Sequence, residues 1–235
     1  MPINKNCPWW GDKVQSDSLT QYKGHVIGFC NTGCRDKFDK AIDLFDAKID
    51  ASDYGLAANF RRFAKYNKWI NNKLYKTVSL LTQQDFEQER GAFFGSIQST
   101  LNHILVWDIS WLQRITNHTI KYKALDYVKT LDKPKGHQHR LHKTFEELFE
   151  ARAKMDNCLI QFCDELKEND FTSVFIYKNM SGIKQYKNFG GVLQHIFNHQ
   201  THHRGQVTTL LSQMDLDSGA TDLMLILKSE SHDSL

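Results

Sequence analysis

The stretch FGGVLQHIFNHQTHHRGQVTTLLSQM, residues 189–214, constrains the fold more than any other part of the chain. It holds four of the 11 histidines and no proline. Its aliphatic residues Val192, Ile196, Val207, Leu210 and Met214 recur at helical intervals, which predicts one helix of about seven turns. At about 100° per residue, His195, His199 and His203 share a stripe with Val192, Ile196, Gln206, Leu210 and Met214, and that stripe is expected to face inward. A buried imidazole needs a partner for each ring nitrogen. A single histidine on an apolar face is most simply a hydrogen-bonded core residue. Three at successive turns, with His202 beside them, favour a metal instead, because an unpartnered stack leaves several buried nitrogens unsatisfied. Imidazoles at i and i+4 supply half of a first-row metal site.

A length of 235 residues suits one large domain or a medium domain with a small module. A hydrophobic content of 40% and three prolines suit a helix-rich globule. The charge of +3 arises from 30 basic and 27 acidic residues mixed along the chain, so no nucleic-acid partner is expected. The N-terminal MPINKNCPWWGDK has no apolar region. No run of 18 or more apolar residues follows, which leads to the expectation of a cytoplasmic protein with no membrane partner. Five cysteines fit metal thiolates or free thiols better than a disulfide framework.

Residues 1–47 read as a module of their own, with glycines, two tryptophans and short β-like pieces such as HVIGF. So short a segment needs a staple. Cys7, Cys30 and Cys34 are the candidates, with Cys30 and Cys34 one turn apart on a helix that starts near Asn31. A polar joint over 48–52 follows, with Ser52 or Asp53 capping the next helix.

Residues 52–226 read as four amphipathic helices and 227–235 as a flexible tail. The first helix, 54–81, has Phe60, Phe63, Ile70, Leu74, Val78 and Leu81 on its apolar face, interrupted by Asn67. The second, 91–117, carries a stripe of Phe94, Ile97, Leu101, Ile104, Leu105, Leu112 and Ile115, with His103 and Trp107 on a flank suited to a cleft wall. Residues 121–141 read as a long connection. The third helix, 144–166, buries Phe145, Leu148, Phe149, Met155, Leu159, Phe162 and Leu166, and Cys158 and Cys163 within it are inert thiols. A hairpin over 171–187 turns at NMSG. After the fourth helix, one turn is expected near 221–225, and the terminal SESHDSL should fray.

Two resemblances follow from these motifs. CPWWGDKV and YKGHVIGFCNTGCRDKF resemble the TRASH or YHS metal-binding modules, which implies a Zn²⁺ site on Cys7, Cys30 and Cys34. Trp10 stands where many relatives carry a second knuckle cysteine, leaving His25 and nearby aspartates as alternatives for a fourth ligand. YNKWINN, GSIQSTLNHILVWDISWLQRI and HIFNHQTHHRGQ resemble the DinB (YfiT-like) family. That resemblance implies a mainly α four-helix bundle with a three-ligand divalent-metal site, carried over here to His103, His199 and His203. His195 is the rival ligand, Gln206 is expected to bond a ligand, and Asn67 to support the site.

Zn²⁺ is the default ion for imidazole-only sites, with Ni²⁺, Fe²⁺ and Mn²⁺ as alternatives. Three imidazoles leave a coordination position for water or substrate, as a reactive site requires. DinB relatives include thiol-dependent transferases and isomerases. The resemblance therefore implies a low-molecular-weight thiol and a small electrophile as partners, in stress response or detoxification. A homodimer is common among such bundles. The competing readings are a metal sensor or trafficking protein, and a stress-induced scaffold with a degenerate histidine cluster.

Overall fold

The computed structural model describes residues 1–22, 24–50, 55–179 and 181–227, of which 42–50 are described by their backbone. The expected caps Ser52 and Asp53 and the terminal SESHDSL lie outside the described residues. The chain divides into two compact units, Met1–Ala58 and Asn59–Leu235. Among the described residues no helix is long and apolar enough to cross a membrane.

In the first unit, strands β1 (Leu19–Tyr22) and β2 (His25–Gly28) form an antiparallel hairpin with Leu19 opposite Gly28 and Tyr22 opposite His25. Helix α1 (Thr32–Asp50) follows. Asn31 starts it, its side-chain oxygen accepting the Cys34 N–H at 2.9 Å. Of the polar joint expected over 48–52, the described part, 48–50, is helical instead. No glycine or proline interrupts the chain between Gly33 and Gly55, so nothing stops the helix earlier. Cys7, Phe29 and Cys34 form a small buried cluster, with Ile27, Cys30 and Phe38 packed on it.

The second unit is built on four long helices, α2 (Leu56–Val78), α4 (Ile97–Ile115), α6 (Phe145–Glu165) and α7 (Phe189–Ser212), with α4 packed on both α6 and α7. A short α3 (Gln83–Glu87) precedes α4. Helix α4 begins at Ile97 instead of residue 91, because Ser96 caps it by accepting the Ser99 N–H at 3.1 Å. Gly91 and Gly95, at φ of 71° and 82°, shape a tight loop before it. Phe94, assigned above to the helical stripe, therefore sits in that loop.

The connection 121–141 is not featureless, since Lys123–Leu125 and α5 (Asp126–Lys129) are helical turns that bury Leu125 and Val128. The Glu165 carboxylate accepts the N–H groups of Lys123 and Ala124 at 2.6 and 2.9 Å, fixing the first turn. A capping box of Thr144 and Glu147 starts α6. Phe149, expected in the core, is 40% exposed. Cys158 and Cys163 are both buried. Strands β3 (Val174–Lys178) and β4 (Lys184–Asn188) form the expected hairpin, and Asn188 then caps α7, its side chain accepting the Gly191 N–H at 2.9 Å. The short 3-10 turn of the tail falls at Leu223–Ile226.

The centre of the bundle is charged. Arg152 donates to Asp108 and lies 2.8 Å from Asp156. Asp156 accepts from Asn67 at 3.0 Å and Asn71 at 2.9 Å. Gln200 donates to Asp108 at 2.7 Å, and Arg204 donates to Asn67. All seven side chains are buried. The network joins α2, α4, α6 and α7, and two of its members, Gln200 and Arg204, directly follow His199 and His203 in sequence. It therefore fixes the rotation of α7 about its axis, which decides where those imidazoles point.

Candidate metal centre

The imidazoles of His103, on α4, and of His199 and His203, on α7, meet at the edge of the bundle. Ring centroids of His103 lie 5.0 Å from His199 and 4.6 Å from His203, and those of His199 and His203 lie 4.3 Å apart. One ring nitrogen from each falls within 4.8 Å of the others. His103 and His203 are buried and His199 is partly so. His195 is not among them: its side chain is exposed, its ring is 6.0 Å from that of His199, and it stands edge-on to Trp111 at 5.4 Å. The expected inward stripe holds for Val192, Ile196, His203 and Leu210, which are buried, and fails for His195. The buried face of α7 centres on Leu193, Phe197, Gln200, Arg204, Val207 and Leu211, and the histidines lie along its margin.

The outer ring nitrogens fix the tautomers. His103 Nδ1 is 2.7 Å from the His137 carbonyl oxygen, which only accepts, so Nδ1 carries the proton and Nε2 presents a lone pair. That Nε2 faces His199 Nε2 at 3.1 Å. His203 Nδ1 is 2.8 Å from Gln206 Oε1 and is the donor in the same way. Asn67, expected near the site, bonds Asp156 and Arg204 instead. Burial is the largest influence on all three rings. It brings His103 down to about 4, against the opposing His137 hydrogen bond, brings His199 down to about 3 with help from His203 and His103, and lowers His203. All three are therefore neutral near pH 7, the protonation state in which imidazole binds metal.

Aromatic rings close the site. Phe94 stacks on His103 at 3.7 Å and meets His203 edge-on at 5.4 Å, covering the rings from the α4 side. Trp107 lies 5.2 Å from His199. Beyond Trp107 and His137 opens a cleft of about 770 Å³, bounded by α4, the 133–137 loop and the β3–β4 hairpin. Its rim is basic, with Lys133, Lys135, Lys178 and Lys184.

In the first unit, Cys7, Cys30 and Cys34 also hold their sulfurs within 4.8 Å of one another. Among the described side chains no histidine, His25 included, and no carboxylate joins that set. Burial raises the Cys7 thiol, but the N–H groups of Cys30, Trp10 and Trp9 outweigh it and bring it down to about 7. Cys30 is pushed up to about 12 by burial and by its two sulfur neighbours. A set poised to release its first proton near neutrality suits a thiolate metal site.

Sequence reasoning missed the buried charges and the His137 carbonyl. The former had a signal. Asp108 continues the Leu101, Ile104, Leu105 and Leu112 stripe, and Arg152 sits between Leu148 and Met155, so charges of opposite sign lay on faces that had to pack. The carbonyl had none, since a backbone oxygen carries no residue code.

Known proteins are similar to this chain over about two thirds of its length. Protein DinB of Bacillus subtilis (strain 168) is 28% identical over 163 residues, covering 69% of this chain and 90% of the relative. A crystal structure of a DinB-like protein from Bacillus cereus ATCC 10987 aligns with a TM-score of 0.46 at 20% identity, over 67% of this chain and 94% of the other. The DinB family model matches residues 55–233, so the bundle, with the histidine group between its second and fourth long helices, makes this chain a member of the DinB family.

Proposed function

We propose that this protein is a divalent-metal-dependent enzyme in which His103, His199 and His203 hold the ion and a low-molecular-weight thiol, or water, attacks a small electrophile. The observation that carries this reading is the meeting of three neutral imidazoles, with the Nε2 lone pair of His103 turned to the inside by the His137 carbonyl. The donor set fits a borderline divalent ion, Zn²⁺ first. A bound ion supplies Lewis-acid chemistry, lowering the pKa of a thiol or water beside it. The chain's residues do the rest. His137 and Gln206 hold the ligand tautomers, Phe94 keeps water off one face, and Trp107 forms the wall along which an electrophile approaches. A role in detoxification under stress accords with this chemistry.

The test is metal removal. Protein stripped with a chelator is expected to lose turnover on a panel of thiols and electrophiles and to regain it with Zn²⁺, Ni²⁺, Fe²⁺ or Mn²⁺. Equal turnover by stripped and reloaded protein across the panel refutes the reading. A smaller effect is expected at Gln206. Gln206→Leu removes the acceptor on His203 Nδ1 and should weaken bundle-site metal affinity by about 10-fold or more, measured by competition with a chromophoric chelator.

The sulfur set of Cys7, Cys30 and Cys34 supports a second reading, a metal sensor or trafficking protein. Soft and borderline donor sets in one chain allow an ion to be captured at one and passed to the other. If the Cys7→Ser, Cys30→Ser, Cys34→Ser variant keeps its metal response in full, that reading fails.

A further inference from the structure

The cleft beyond Trp107 is lined by Arg114, Lys133, Lys135, Lys178 and Lys184 and by no aspartate or glutamate. The chain as a whole mixes 30 basic with 27 acidic residues. Five like charges around one concavity repel one another. Among the described residues none of the five has a carboxylate within 4.0 Å, although four other basic side chains of this unit, Arg90, Lys129, Arg152 and Lys154, do.

Arg114 is the fixed member. Its guanidinium lies 4.8 Å from the Trp111 ring and 5.5 Å from that of Tyr177, which holds it between α4 and the hairpin. A half-buried guanidinium with aromatic neighbours and no anion offers its fork to a carboxylate or phosphate. The neighbouring Gln113 donates to the carbonyls of Val128 and Leu131 at 3.1 and 2.9 Å, tying down the chain that leads into the Lys133 and Lys135 loop. The inner end of the cleft touches the histidine group twice, through Trp107 beside His199 and through His137, whose carbonyl accepts from His103.

We infer that this cleft binds a small oligoanion, a molecule with two or more carboxylate or phosphate groups, and presents it to the histidine group. The inference rests on reading that group as the reactive centre. The anionic end sits among Arg114 and the lysines, and the remainder extends past Trp107. On this assignment the reacting thiol or its electrophile is polyanionic.

Calorimetric titration tests this with phenyl phosphate and succinate as dianions, benzoate as a monoanion and benzyl alcohol as a neutral probe. Both dianions, or one of them, should bind more tightly than benzoate, and added salt should weaken them. Phosphate and carboxylate recognition separate by which dianion binds better. Arg114→Gln and the exposed pair Lys133→Glu/Lys135→Glu should each weaken dianion binding by about 10-fold or more. Lys65→Glu/Lys76→Glu makes the same charge change away from the cleft and should leave binding unchanged. The His199→Ala/His203→Ala variant should still bind the dianions. Dianions that bind no better than benzoate, or equally well to Lys133→Glu/Lys135→Glu, overturn the proposal. So does loss of binding on removing the two histidines, which would put the anion on the metal. Failure of the metal and turnover experiment alone bears on the histidine reading and leaves the anion result standing.

Discussion

Arg152→Met is expected to destabilise the protein by about 3–5 kcal/mol, because it leaves Asp108 and Asp156 buried without their shared cation. For a bundle of this size the melting temperature should fall by about 10 °C. In the native protein burial pulls Arg152 toward neutrality, but Asp156 and Asp108 outweigh it and keep it charged. Burial holds Asp156 above the usual carboxylate range despite Arg152 and the amide of Asn71. Removing the cation raises Asp156 further. A carboxyl whose folded pKa exceeds its unfolded value contributes stability that is complete below the unfolded pKa and is lost as pH rises through the folded one. The variant should therefore lie closer to wild type at about pH 5 than at about pH 8. Chemical denaturation at the two pH values reads both effects. A loss under about 1 kcal/mol, the range of exposed ion pairs, would show that the network does not act as a closed set of charges.

The same network marks the limit of what the sequence disclosed. Helical periodicity exposed the long helices, because leucines and phenylalanines at three- and four-residue steps have one low-energy arrangement. It misplaced the start of α4, since a capping serine after two left-handed glycines ends the pattern locally and moves Phe94 from the core to the lid of the histidine site. It carried α1 too short, because the polar residues from Lys48 onward read in sequence as a linker. It also put His195 inside. Rotating α7 by a fraction of a turn buries Leu193, Phe197 and Leu211, brings Gln200 and Arg204 into the core beside Asp108 and Asn67, and moves His195 out. The helix's own Leu193, Phe197 and Leu211 encode part of that choice. The facing helices supply the rest, and reading them together requires treating buried charges as partners before treating them as surface.

That rotation separates two variants that a helical wheel makes nearly equivalent. His199→Ala removes the ring whose Nε2 lies 3.1 Å from His103 Nε2 and should cost about one equivalent of metal per chain at the bundle site. Metal-ion catalysis supplies several kcal/mol, so turnover on any thiol and electrophile pair that the wild type processes should fall by about a thousandfold or more. His195→Ala should keep both metal and turnover, because that ring is exposed and stands against Trp111, outside the three-nitrogen group. Metal analysis by mass spectrometry, with kinetics on the same preparations, tests the pair. If His195→Ala loses the ion and His199→Ala retains it, the ligands come from the preceding turn of α7 and the buried network does not set the register of the site. If His199→Ala alone loses it, Gln200 and Arg204 are anchors as well as core residues. Each holds a neighbouring histidine at the margin of the bundle, where an ion can be bound by protein on one side and approached through the cleft on the other.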